Sequence, residues 1–186
     1  MLEYVFWHWP RPDADLAVYE DRLIQFQKAI SASKSAGFRE SAVFRVSSLP
    51  WVQGASASYE ERYLLEGSFG LDPLNEAAIS SACRGAHDAA AQLAAGGTAG
   101  LYRLRVGEPV LTRVQFCYWF AKPARTSYED FYSRLRPVTV QPGIVLWGRQ
   151  MVLGPTPEFC LDAPIRVKLP ADLQALEVEL RRSWPG

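Results

Sequence analysis

A chain of 186 residues, 48% hydrophobic and 22% charged, with 20 basic side chains against 20 acidic ones, has a globular and balanced composition. Neither intrinsic disorder nor a general attraction to nucleic acid or anionic membrane is expected of it. The three cysteines, Cys83, Cys117 and Cys160, form no CxxC pair, so buried free thiols are expected, with no disulfide framework and no cysteine zinc site. The opening MLEYVFWHWPRP has no basic n-region and no long apolar stretch. No apolar run approaches the roughly 20 residues that span a bilayer. A cytoplasmic protein is the expectation. Sixteen of the basic residues are Arg and four are Lys, which reflects coding bias or a choice of Arg for bidentate anion contacts.

Tyr4 to Trp9 is an aromatic, apolar run ended by Pro10 and Pro12, and it predicts a strand. Asp13 or Asp15 can cap the helix that follows, in which Leu16, Tyr19, Leu23, Phe26 and Ile30 recur at helical spacing. Strands are predicted over Ser41–Ser47 and Arg62–Phe69, with a polar hairpin or loop from Gln53 to Ser58 between them. Asp72-Pro73 opens a second helix, predicted to run to about Ala95 with an alanine inner face and to stop at Gly96-Gly97. Leu101–Val106 is a fourth strand. This is the β-α-β-β-α-β order of a ferredoxin-like unit.

The order then restarts. Thr112–Phe120 reads as a strand, Tyr128–Leu135 as a short helix, Ile144–Leu153 as a strand, and Phe159–Leu169 as another strand or a pair of short ones. Asp172–Trp184 reads as a helix carrying Leu173, Leu176, Leu180 and Trp184. The expected organisation is therefore a first unit over residues 1–107 and a second, truncated unit over 108–186, sharing one core. Residue matches accompany the pattern: Trp7-His8-Trp9 with Tyr118-Trp119-Phe120, and Tyr19-Glu20-Asp21 with Tyr128-Glu129-Asp130.

Two such units, each beginning with an aromatic strand and a Tyr-containing amphipathic helix, resemble the dimeric α/β-barrel superfamily in tandem, single-chain form. The resemblance covers nearly the whole chain and implies an α+β fold in which antiparallel sheets face each other with helices outside. The superfamily includes cofactor-free monooxygenases, lactone isomerases and haem-degrading enzymes, so the fold does not choose the chemistry.

Alternation along each strand separates a barrel face from a helix face. Assigning the mixed polar faces to the barrel gathers His8, Arg45, Glu66, Arg103, Trp119, Trp147 and Arg149, together with Arg62, around one small-molecule pocket. In that arrangement His8 is the acid or base. Glu66 pairs with Arg45 or Arg103, a remaining Arg holds a substrate carboxylate, and the tryptophans stack on an aromatic ring. Each residue also has a plain structural role: core for the tryptophans, a solvated sheet face for the charges, a surface or helix-capping position for His87. There is no phosphate loop, no GxSxG elbow and no metal-ligand spacing, so no cofactor or metal is expected. The reading this set favours is a small-molecule enzyme performing cofactor-free proton transfer or oxygenation on an aromatic or carboxylate-bearing substrate. The alternative is a non-catalytic protein that binds a small ligand such as haem or serves a structural role. The expected partner is a small molecule, and the chain is expected to be a monomer or homodimer.

Overall fold

The computed structural model describes residues 1–47, 49–52, 57–151 and 156–185. Its elements are β1 (Leu2–Pro10), α1 (Leu16–Ser33), β2 (Phe38–Val46), β3 (Ser58–Leu65), α2 (Leu71–Ile79), α3 (Arg84–Ala91), β4 (Ala94–Val106), β5 (Phe116–Phe120), α4 (Tyr128–Thr139), β6 (Val145–Arg149), β7 (Phe159–Ala163) and β8 (Leu176–Trp184). The loop expected at 53–58 and the end of the strand expected to reach Leu153 fall largely outside the described residues.

The eight strands close into one antiparallel barrel in the order β1-β3-β2-β8-β5-β7-β6-β4. The order contains two ferredoxin-like sheets, β4-β1-β3-β2 and β8-β5-β7-β6, joined edge to edge. The two seams are β2–β8, with Val46 opposite Leu180, and β4–β6, with Arg103 opposite Gly148. Closure removes every free sheet edge among these strands. The architecture is the α+β barrel with helices outside that the sequence predicted.

Three elements differ from expectation. Residues 176–184 form a strand, not a helix. Leu176, Val178 and Leu180 alternate with Glu177 and Glu179, and the buried alternate set faces the barrel. That period-2 pattern outweighs the helical reading. What the second unit lacks is the second helix, which is replaced by an irregular segment with one short 3-10 turn at Ala171–Leu173. The long helix expected from Asp72 to Ala95 is broken into α2 and α3. Ser80 is extended, and its hydroxyl donates back to the Ala77 carbonyl at 2.8 Å, the kind of local bond that competes with a helix. Gly96 and Gly97 do not end a helix but lie inside β4, opposite Trp9 and His8. The Trp9 and Phe6 rings lie over them, and a Cβ at either glycine would collide with those rings.

The helices obey simple local rules. Asp15 caps α1 by accepting from the backbone N–H groups of Ala17 and Val18 at 2.8 and 3.0 Å. Ser127 caps α4 by accepting from Asp130 N at 3.0 Å. Tyr19, Leu23, Phe26 and Ile30 form the buried face of α1, as their spacing predicted.

The barrel interior is filled. Trp7, Trp119, Trp147, Tyr102 and Phe44 pack there with smaller apolar side chains, as an eight-stranded barrel of this size requires. Each tryptophan contributes on the order of 5 kcal/mol by buried area alone. At the centre lies Arg62, fully buried. Its Nε donates to Glu60 at 2.5 Å, and its Nη1 donates to Asp162 at 2.7 Å and Glu3 at 3.3 Å. The Trp7 and Trp147 indoles donate to Glu60 and Asp162 at 2.7 and 2.8 Å. Among the described residues no helix is long and apolar enough to cross a membrane.

Candidate active site

The barrel centre is filled, and one space open to a ligand lies on the other face of the sheet. A cavity of about 240 Å³ opens between the outer face of β1 and β3 and the helices α1, α2 and α3. The bulky set Val5 and Trp7 points into the barrel, and the mixed set Tyr4, Phe6 and His8 points at the helices. For β1 this reverses the expected assignment. Trp7 has a buried carboxylate waiting in the barrel for its N–H, whereas His8 finds its partners on α1 and the outer face of β3.

The alanines of α2 and α3 create the room. Ala78 and Ala90 face the cavity where larger side chains would close it. Leu23, Phe26, Ile30 and Leu74 supply apolar wall. The polar end is built from β1, α1 and β3. His8 is 2% exposed and Glu61 is 4% exposed. The His8 ring lies between Phe6 and Tyr59, with centroids 5.3 and 5.8 Å away, both stacked. Its Nδ1 is 2.6 Å from the Tyr19 hydroxyl. Its Nε2 lies 3.5 Å from Glu61 Oε1 and has no hydrogen-bond partner among the described residues. The other oxygen of Glu61 accepts a short hydrogen bond from the Tyr63 hydroxyl, which in turn accepts from Gln27 Nε2 at 2.7 Å. The chain of contacts therefore runs Gln27–Tyr63–Glu61–His8–Tyr19.

Burial and then the nearby Glu61 charge hold the Tyr4, Tyr19 and Tyr63 phenols above their ordinary range. All three therefore remain protonated and able to donate at neutral pH.

Both histidines of the chain border this cavity. His87, expected on the surface or at a helix cap, lies within α3 with its side chain 40% exposed. Its ring meets Phe26 edge-on at 5.4 Å, and its Nδ1 is 3.0 Å from Asp88. His8 thus occupies the sheltered side and His87 the solvent side.

The other expected site residues lie elsewhere. Trp119 and Trp147 face the barrel, as predicted, but they are core. Arg45 is half-buried on β2, opposite Tyr59 and Arg181. Glu66 is exposed just beyond the end of β3 and pairs with neither Arg45 nor Arg103. Arg103 is exposed and donates to Gln150 at 2.6 Å. Arg149 is half-buried and donates to the Thr156 carbonyl at 2.6 Å. None of these six lines the cavity with His8. The physical reason is one of strand twist and closure: the mixed faces of β1 and β4 point outward while those of β5 and β6 point inward, so one rule cannot serve all the strands.

Glu61, Tyr19 and Tyr63 complete the site. The signal for Glu61 and Tyr63 was present in β3. That strand begins at Ser58, upstream of the predicted start at Arg62. Extending the alternation upstream sets Tyr59, Glu61 and Tyr63 on one face.

The second unit provides an internal comparison. Matching the two units by their helix caps and barrel-facing tryptophans, Asp15 with Ser127 and Trp7 with Trp119, sets His8 against Phe120 and Tyr19 against Phe131. The strand pairs His8–Tyr59 and Phe6–Glu61 then correspond to Phe120–Phe159 and Tyr118–Leu161. Tyr63 falls at Ala163. The residue matches expected from sequence are one position out for the strand, and Tyr19 matches Phe131, not Tyr128. In the second unit these positions form a closed apolar cluster, with Phe131 and Phe159 centroids 4.7 Å apart. The fold does not need a polar centre here, yet the first unit has one.

Among the described residues no group of three or more His, Cys, Asp or Glu side chains is placed to hold a metal ion. The cavity is smaller than the pockets that take drug-sized molecules.

No protein-family model matches the sequence, and no curated protein matches it. Solved structures do resemble the fold. A proposed monooxygenase of Fusobacterium nucleatum superposes with a TM-score of 0.62 at 9% identity, covering 97% of this chain and 91% of that one. A proposed chlorite dismutase superposes at 0.50 and 10% identity, covering 98% and 95%. At such identities the likeness is one of fold alone, two ferredoxin-like sheets closed into one barrel within a single chain.

Proposed function

We propose that the first-unit cavity is the active site of a small-molecule enzyme in which His8 transfers a proton without a cofactor. The observation that carries this reading is the His8 Nε2 atom, almost wholly buried, bordering a cavity, and unpartnered. A buried polar atom without a partner costs free energy. The second unit shows that phenylalanine serves the same position.

In the reading proposed, Nδ1–H donates to the Tyr19 oxygen and fixes the ring, leaving the Nε2 lone pair toward the cavity. Nε2 takes a proton from the substrate, and the Glu61 carboxylate 3.5 Å away stabilises the imidazolium that forms. Tyr63 and Gln27 hold Glu61 in place. The apolar wall and the small volume suit a compact, largely aromatic molecule. The carboxylate-bearing substrate weighed from sequence loses its support, because the arginines that were to bind it lie elsewhere. The same deprotonation is the first step of an isomerisation or of oxygen addition to the resulting carbanion.

The test is a panel of small aromatic carbonyl and amino compounds in deuterated buffer, followed by NMR for exchange of acidic hydrogens. Wild type is expected to accelerate exchange of at least one compound. His8→Phe, which copies the second unit, is expected to lower that rate by about a hundredfold or more with a melting temperature within a few degrees of wild type. Equal exchange in both proteins refutes the role of His8. Binding without exchange in wild type refutes catalysis.

A further inference from the structure

We infer that the cavity is built for an organic cation, a protonated amine carried on an aromatic or otherwise apolar body, and that Glu61 is its counter-ion. This rests on the cavity being the functional site, as proposed above, but not on its being catalytic.

Charge comes first. Among the described residues that line the cavity, Glu61 is an acid and none is a lysine or arginine. One of its oxygens is bound by Tyr63. The other lies 3.5 Å from the His8 Nε2, with no hydrogen bond between the two among the described residues. A buried carboxylate with one oxygen open and no cationic side chain beside it is costly unless something neutralises it. An incoming ammonium supplies the missing charge, and its several N–H donors can reach both Glu61 Oε1 and the His8 Nε2 lone pair.

The walls agree. Tyr4, Phe6, Phe26 and Tyr63 present rings to the cavity, and the Tyr4 and Tyr63 centroids are 5.9 Å apart. Aromatic faces attract cations and also accept an aromatic body. An anion meets the opposite conditions, since it would be buried beside Glu61 with no compensating cation. The second unit lacks the carboxylate and the rings' polar edges alike, with Leu161 and Ala163 at the positions of Glu61 and Tyr63. One cation site per chain is therefore expected.

Three probes of similar size and different charge decide the matter: phenethylamine, phenethyl alcohol and phenylacetate, titrated calorimetrically into the full chain at neutral pH. Phenethylamine is expected to bind about tenfold or more tightly than the alcohol, with a stoichiometry of one per chain, and phenylacetate most weakly. Glu61→Gln, which keeps a hydrogen-bond acceptor for Tyr63, is expected to erase the advantage of the amine over the alcohol. His8→Phe removes the Nε2 acceptor but leaves the Glu61 carboxylate, so it is expected to reduce that advantage without erasing it. Equal affinity for amine and alcohol, tighter binding of phenylacetate, no binding of any probe, or an amine preference that survives Glu61→Gln overturns the inference. Amine selectivity without any proton exchange refutes the catalytic proposal and leaves this one standing.

Discussion

Arg62→Met is expected to lower the unfolding free energy at pH 8 by about 3–5 kcal/mol, the usual cost of stranding buried charges by removing one partner. Among the described residues the guanidinium is the cation that Glu3, Glu60 and Asp162 meet in the barrel centre. Burial alone would lower its proton affinity, but Asp162, Glu60 and Glu3 together hold it well above its ordinary value. It is therefore charged at every pH of interest. Methionine fills a similar volume, so the loss measures charge and not a cavity. Without the cation the carboxyls must take up protons to remain buried, so the deficit shrinks as pH falls. Urea unfolding of both proteins at pH 5 and pH 8 checks this. A loss under about 1 kcal/mol at pH 8, or one that grows toward pH 5, contradicts the assignment of Arg62 as the counter-ion of the core.

Glu3 carries the second large effect. Burial raises its carboxyl most, Arg62 pulls it down, and the charges of Asp162 and Glu60 push it up, leaving it at about 8. The folded protein thus holds a proton on Glu3 across a range where the unfolded chain, with an ordinary carboxyl, has released it. Stability from this group is fully present below about pH 4.5 and is lost as pH rises toward about 8. Glu3→Gln retains the shape and removes the titration. Wild type and variant are expected to be similar in stability near pH 5, and the variant is expected to be more stable by several kcal/mol above pH 8. Unfolding curves that run parallel for the two proteins from pH 5 to 9 contradict this.

The same arrangement explains what could be read from sequence. Element order, the aromatic first strand and the spacing along α1 are local signals, and they were sufficient for the tandem barrel. Residues 176–184 misled because leucines at 173, 176 and 180 also suit a helix; the alternation with Glu177 and Glu179 decided it once β2 and β5 offered edges to pair with. Which face of β1 is inside was not legible. Both faces are aromatic, and the choice is made by long-range partners: Glu60 for the Trp7 indole, Tyr19 and Glu61 for His8. His8 was identifiable as a candidate because it stands on the more polar face of the first strand. Its surroundings were not, since Arg45, Arg103 and Arg149 satisfy themselves at the surface or the barrel rim, and the carboxylate beside His8 is Glu61, not Glu66.

The central claim is that His8 presents an unprotonated Nε2 to a ligand cavity that both histidines border. Nitrogen-detected NMR of the imidazoles tests it most directly, because the chain has two histidines to assign. In the free protein near pH 8, His8 is expected in one tautomer, Nδ1 protonated and Nε2 bare. Each aromatic probe that binds is expected to shift the His8 Nε2 signal strongly and the His87 ring measurably, while the Trp119 and Trp147 indoles hold their positions. A His8 ring protonated at Nε2 in the free protein, or a bound probe that moves the barrel indoles and leaves both imidazoles unchanged, contradicts the account.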